Sequence, residues 1–126
     1  MSIRHQLQPR IDAFIEDLEV FATGSYLKEE ERALWEPPFD AKALAQLRSQ
    51  LEAFADRVDT LGPQSDPTVL RQLVVHTIDQ LEAFNQEHAG AVVEPEEREE
   101  INFLFVSAAR AAGVSEEDIA ELPQLD

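Results

Sequence analysis

Apolar residues along most of this chain recur every three or four positions, which is the spacing of one face of an α-helix. The first such stripe predicts a helix that begins at Ser2 or Ile3, runs to Ala22 and is ended by Gly24. Pro9 interrupts it, because proline removes a backbone hydrogen bond and clashes with the preceding turn. The alternative is therefore a regular helix that begins at Pro9. The expected buried stripe is Ile3, Leu7, Ile11, Phe14, Ile15, Leu18 and Phe21.

Two more helices are predicted in the middle of the chain. The second predicted helix follows the N-cap Asp40, with Phe39 and Leu44 spaced as a hydrophobic staple, and it ends at Gly62-Pro63. The third opens at Asp66-Pro67 and fades near His88. Their expected buried stripes are Leu44, Leu47, Leu51, Phe54, Val58 and Leu61 for the second, and Leu70, Val74, Thr77, Leu81 and Phe84 for the third.

The last quarter of the chain predicts one long and one short helix. The long one begins near Glu94-Pro95 and is apolar nearly all round from Ile101 to Ala112, so we expect it to be the most buried helix. Ser115 caps the short one, and Val114 and Ile119 are spaced as a staple. Residues 124–126 are expected to fray.

Short connections at 62–66 and 90–94 favour antiparallel neighbours. We therefore predict one all-α domain over residues 1–126, an up-down-up-down four-helix bundle with a short C-terminal fifth helix. The connection 25–39 has room for another short helix. Gln50-Leu51-Glu52-Ala53-Phe54 recurs at residues 80–84, and a related version occupies residues 17–21. The segments that flank these short repeats match poorly. We therefore interpret the repeats as similar solutions to helix packing, and the alternative is an array of helical repeats.

Charge narrows the choice of partner. The 126 residues include 26 acidic and 10 basic side chains, for a net charge of −16. The sequence has no Lys/Arg cluster, so we expect neither direct nucleic-acid binding nor binding to anionic membranes. An acidic exterior attracts a basic protein. The alternative interpretation is that the charge serves only solubility or reflects the composition of the source.

Catalytic and metal-binding patterns are missing from the sequence. The chain has no cysteine, and Glu-x-x-His pairs are absent, since Ser2, Leu73 and Asn85 stand three residues before the histidines. No Gly-x-Ser-x-Gly elbow or phosphate-binding glycine loop occurs. We therefore predict no catalytic, cofactor-binding or metal-binding residue. Because no apolar run approaches the length of a membrane span, we expect a cytoplasmic location.

Two regions are candidates for binding a protein partner. The connection 25–39 places aromatic residues among acidic ones, and tyrosine and tryptophan are common interface anchors. The alternative is that Trp35 and Phe39 only cap the end of the bundle. The other candidate is the acidic start of the fourth long helix. The predicted partner-binding residues are Tyr26, Glu29, Glu30, Glu31, Trp35, Glu36 and Phe39 in the connection, and Glu96, Glu97, Glu99 and Glu100 in the helix.

These patterns favour a non-enzymatic protein that binds a protein partner stoichiometrically, in the manner of an inhibitor, an immunity protein or an adaptor. A basic partner fits the charge. Two other hypotheses remain open: a helical bundle that binds a small ligand or a metal, and a structural domain that self-associates as a homodimer.

Overall fold

The computed structural model describes residues 2–24, 27–34, 39–61 and 66–125, and these residues form helices and no strand. The all-α prediction is therefore confirmed for the described chain. Within it, no helix combines the length and the apolarity that a membrane crossing requires. The predicted end of the second helix at Gly62-Pro63 lies outside the described residues. The helices are α1 (Ile3–Thr23), α2 (Glu29–Arg32), α3 (Ala43–Leu61), α4 (Pro67–Glu87), α5 (Pro95–Ala111) and α6 (Glu116–Ala120).

α1 is continuous through Pro9, so the alternative start at Pro9 is wrong. Its first turn is held in two ways: the Ser2 hydroxyl accepts from the His5 amide at 3.0 Å, and the Asp59 carboxylate of α3 accepts from the Ile3 and Arg4 amides at 2.7 and 3.0 Å. These bonds satisfy amides that a helix start leaves without partners, and they keep the turn before Pro9 helical. The predicted stop at Gly24 is confirmed, with φ at 68°.

A row of polar side chains joins α1 to α3. Arg4 donates to Asp56 at 2.7 Å, Gln8 donates to Glu52 at 2.8 Å, and Arg48 pairs with Asp12. Residue numbers rise along α1 as they fall along α3, so the two helices are antiparallel. Hydrogen bonding from Gln8, followed by that from Arg48, lowers the pKa of Asp12.

α3 lies at the centre of the fold and packs against α1, α4 and α5, while α5 also contacts α1 and α6. The apolar residues of the predicted α3 and α4 stripes are buried in one cluster, except that Leu61 is only partly buried, and the polar Thr77 of the α4 stripe is buried as well. α3 begins at Ala43 instead of directly after Asp40. The reason is a turn: the Asp40 side chain accepts from the Lys42 amide at 2.9 Å, and the Asp40 carbonyl accepts from the Ala43 amide.

The related segments of α1, α3 and α4 differ in one respect. Phe54 and Phe84 are buried, whereas Phe21 is 51% exposed; the residue that follows the phenylalanine is buried in all three segments, as Ala22, Ala55 and Asn85. The prediction that Phe21 belongs to the buried stripe is therefore wrong. Phe21 lies at the edge of that stripe in the last turn of α1, where it faces α5. The expectation that α5 is the most buried helix is also wrong: five of its 17 residues are buried against seven of 19 in α3, and Phe103 is 46% exposed.

The C-terminal segment is held in place, so the prediction of a frayed tail is wrong as far as residue 125. Leu125 is 2% exposed. Its amide donates to the side-chain oxygen of Asn102 at 2.7 Å, and the Asn102 amide donates back to the Leu125 carbonyl at 3.0 Å. The predicted cap of the short helix is confirmed, since Ser115 accepts from the Asp118 amide.

Substitution of two phenylalanines tests the difference between the related segments. We expect Phe54→Ala to lower the free energy of unfolding by about 3–5 kcal/mol, because it leaves a cavity in the core. Phe21→Ala should cost about 1 kcal/mol or less, because half of that ring is already in water. Urea unfolding followed by circular dichroism measures both. Equal losses for the two variants would contradict the burial described here.

Candidate functional site

A cleft of about 780 Å³ separates α1 from the first turns of α5. We call it the α1–α5 cleft. A smaller depression of about 320 Å³ continues it past Phe21 towards Phe39 and Glu94. From α5, the cleft is lined by Glu96, Glu97 and Glu100. It therefore combines carboxylates from one helix with a mixed surface from the other.

Helical geometry places the α1 side of the cleft on one face. Arg10, Asp17 and Phe21 are seven and four residues apart, so their side chains project in similar directions. Ala13 and Phe14 lie between them and give the cleft an apolar middle. Arg10 and Phe21 mark its two ends, about 16 Å apart along the helix axis.

The α5 side depends on Asn85, a buried side chain near the end of α4. Its oxygen accepts from the amides of Val93 and Val92 at 2.9 and 3.3 Å, and its amide donates to the Val93 carbonyl at 3.1 Å. Asn85 thereby holds the connection that leads into Glu94, the N-cap of α5. Asn85 was not among the predicted site residues, although a polar residue directly after Phe84 on the buried side of a helix was a signal for this role.

The electrostatics of the cleft and its continuation are strongly negative. Among the described residues that line them, five carboxylates face one guanidinium: Asp17, Glu94, Glu96, Glu97 and Glu100 against Arg10. Partial burial, followed by repulsion from Glu94 and Glu96, raises the pKa of Glu97, although backbone hydrogen bonds oppose this rise. The start of α5 partly offsets the repulsion, because a helix N-terminus favours negative charge.

Arg10 closes one end of the cleft. Its Nε donates to one oxygen of Glu100 at 2.5 Å and its Nη2 to the other at 3.2 Å. Its Cζ lies 3.9 Å from the centre of the Phe103 ring. A carboxylate and an aromatic face are thus arranged around a planar guanidinium, which is a favourable geometry for both contacts.

The structure brings only some of the predicted partner-binding residues together. Glu96, Glu97 and Glu100 line the cleft, and Phe39 lines its continuation while being only 8% exposed. Glu99 is exposed and does not line it. The exposed residues Glu29, Glu30 and Glu31 form the start of α2 and are absent from the lining. Tyr26, Trp35 and Glu36 lie outside the described residues.

Besides Glu94, the N-cap of α5, four contributors to the site were missing from the predicted set: Arg10, Asp17, Phe21 and Phe103. The only signal for them was their position beside the buried stripe of a helix. The approach of Arg10, Asp17 and Phe21 to α5 depends on how α1 and α5 pack, which the sequence pattern did not specify.

The histidines do not gather into a metal centre. Within the described ranges, no group of three His, Cys, Asp or Glu side chains is placed to hold a metal ion. His76 is exposed on α4. His88 is the C-cap of that helix, and its ring lies 4.8 Å from the ring of Phe84. The α1–α5 cleft is therefore the strongest candidate site.

Comparisons of the chain with protein-family models, with curated proteins and with solved structures found no match. The chemistry of the cleft is therefore the basis for a functional proposal.

Asn85→Ala tests whether this side chain supports the α5 side of the cleft. The variant leaves two buried amides and a carbonyl without their partner, so we expect the free energy of unfolding to fall by about 2–3 kcal/mol. Hydrogen exchange should quicken at Val92 and Val93 in particular. Gln86→Ala, on an exposed neighbour, is the control and should change little. Unchanged exchange in Asn85→Ala would show that the connection does not depend on this residue.

Glu97→Gln tests the electrostatic strain in the cleft. Because the pKa of Glu97 is raised in the folded protein, its charge is less favourable there than in the unfolded chain. Glu97→Gln should therefore be more stable than the wild type at neutral pH. The difference should shrink as the pH falls through the raised pKa and be gone below 4.5, the ordinary value.

Urea unfolding between pH 4 and pH 8 measures this difference. Glu99→Gln, a substitution of an exposed neighbour on the same helix, provides the matched loss of charge. If both variants followed the same pH profile, the effect would belong to net charge and not to the position of Glu97 in the cleft.

Proposed function

We propose that this protein is not an enzyme but binds a basic protein partner stoichiometrically through the α1–α5 cleft, as an inhibitor, immunity protein or adaptor does. One observation carries the proposal: the cleft and its continuation together place the half-exposed ring of Phe21 among five carboxylates. Apolar anchors surrounded by complementary charge are typical of protein interfaces.

The charge of the cleft favours a cationic partner. The net charge of −16 attracts a basic protein over a long range, and the carboxylates of the cleft form ion pairs with it once it is bound. The same field repels phosphate backbones, which is why a protein is favoured over a nucleic acid. Association should therefore be fast at low ionic strength and slow as salt screens the charges.

The apolar part of the cleft defines the partner further. Phe21 and Val20, which are 51% and 38% exposed, offer the accessible apolar surface of the α1 wall, while the carboxylates lie mostly on α5. A partner segment with apolar side chains on one face and basic side chains beside them would contact both walls: the apolar side chains pack against α1, and the basic ones pair with the carboxylates. The length of about 16 Å between Arg10 and Phe21 matches three turns of a helix laid along the cleft.

We also infer that the four long helices form a single up-down-up-down bundle. The antiparallel register of α1 and α3 supports this topology. So does the cleft itself, where Arg10 contacts Glu100 while Phe21, later in α1, lines the surface together with Glu96, earlier in α5.

A small amphiphilic cation is the second candidate ligand. The volume of the cleft, about 780 Å³, falls within the usual range for small-molecule sites. Such a ligand would use the same carboxylates and the same rings. Binding of a basic peptide at the cleft, with no competition from small alkyl-ammonium compounds, favours the protein partner.

A synthetic amphipathic peptide of about 18 residues, composed of Leu, Ala and Arg, is the probe for the proposed function. We expect it to shift the amide resonances of α1 and α5 in ¹⁵N-labelled protein and to bind less tightly as NaCl is raised. Glu96→Gln with Glu97→Gln should weaken binding by roughly three- to tenfold. Phe21→Ala should weaken it by about tenfold.

The matched control removes two exposed charges outside the cleft, Glu87→Gln with Glu117→Gln. If this control weakened binding as much as the cleft variants did, the attraction would come from net charge alone, and the proposed site would be wrong. Sedimentation of the free protein distinguishes a monomer from a homodimer. A homodimer that forms through the cleft would also contradict the proposal.

A further inference from the structure

Arg10 occupies the end of the cleft in a way that resembles a bound ligand. Among the described lining residues it is the only cation, and it has two oxygens of Glu100 and the face of Phe103 as its neighbours. The side chains of Arg10 and Glu100 are 46% and 29% exposed. Water therefore reaches both partners of this ion pair.

Ion pairs at such exposed positions contribute little to folding stability, because water and salt compete for both charges. The Phe103 ring is itself half exposed, so its contact with the guanidinium is accessible to another cation as well. Exchange of Arg10 for an external guanidinium would preserve every contact that Glu100 and Phe103 make. The exchange would also leave Arg10 free to extend into solvent.

We propose that the partner inserts an arginine that replaces Arg10 on Glu100 and Phe103, so that Arg10 is an intramolecular competitor for the partner. This inference rests on the proposed function. It adds the identity of the recognised side chain, and it explains why a cation lies among the carboxylates of the cleft. In the free protein, Arg10 covers the subsite and neutralises Glu100; in the complex, the partner takes both roles.

The geometry favours arginine over lysine at this subsite. Both oxygens of Glu100 are engaged by different nitrogens of a single planar group, and the Cζ of that group lies 3.9 Å from the centre of the Phe103 ring. A lysine ammonium is compact and cannot make the two parallel bonds and the stacking contact together.

A thermodynamic cycle tests the exchange. The probes are the Arg peptide and a second peptide in which every Arg is Lys, titrated calorimetrically into the wild type, Arg10→Ala, Glu100→Gln and the double variant. We expect Arg10→Ala to tighten binding of the Arg peptide by roughly two- to fivefold, the range that an exposed ion pair permits. In the Glu100→Gln background the same substitution should give no gain. The Lys peptide should gain less than the Arg peptide.

Two controls separate exchange from a general effect of charge. Arg71→Ala removes a similar exposed cation that pairs with Glu121 and does not line the cleft, and it should leave affinity nearly unchanged. Arg10→Gln, which retains most of the aliphatic stem, should repeat the gain of Arg10→Ala. Thermal unfolding verifies that all variants are folded. In the wild type, peptide binding should change the chemical shift of the Arg10 Nε–H resonance to that of a solvent-exposed arginine.

The outcomes distinguish the two proposals. If the Arg peptide shifts the cleft resonances but the effects of Arg10→Ala and Glu100→Gln simply add, the exchange is overturned while the proposed function stands. An equal gain from Arg71→Ala would also overturn it. If neither the wild type nor Arg10→Ala binds either peptide at the cleft, the proposed function itself is overturned.

Discussion

The packing of α1 against two neighbours is the constraint on which the rest of the structure depends. One side of α1 carries Arg4, Gln8 and Asp12, which bond to α3. Another side carries Arg10, Asp17 and Phe21, which face the start of α5. The buried stripe lies between them. The contacts with α3 fix the rotation of α1 about its axis. The side with Arg10, Asp17 and Phe21 therefore cannot turn into the core, and it forms one wall of the cleft.

Helical periodicity predicted most of the fold, because burial of one face is a local property of sequence. The stripes of α3 and α4 and the caps Asp66 and Ser115 followed from spacing and residue type alone. Phe21 shows where this reasoning stops. Its segment resembles those that contain Phe54 and Phe84, yet Phe21 is 51% exposed, because burial at the edge of a stripe depends on which helices pack beside it. Leu125 was similarly missed, since Asn102, more than twenty residues earlier, provides its bonds.

The candidate site was predictable on one side only. Acidic residues at the start of α5 are visible as a run in the sequence, and the helix N-terminus explains their position. The opposite wall was not visible, because Arg10 becomes significant only through Glu100 and Phe103, about 90 residues later. Asn85 illustrates the same limit: its three hydrogen bonds shape the start of α5, but the sequence shows only an asparagine within a helix.

The polar row between α1 and α3 also bears on the order in which the chain assembles. The bonds of this row and the Asp59 cap join residues that are 36 to 56 positions apart. During synthesis, the start of α1 therefore emerges long before the carboxylate that completes its first turn. Closing so long a loop costs conformational entropy, and the cost is recovered only when α3 docks. The same docking fixes the α1 wall of the cleft.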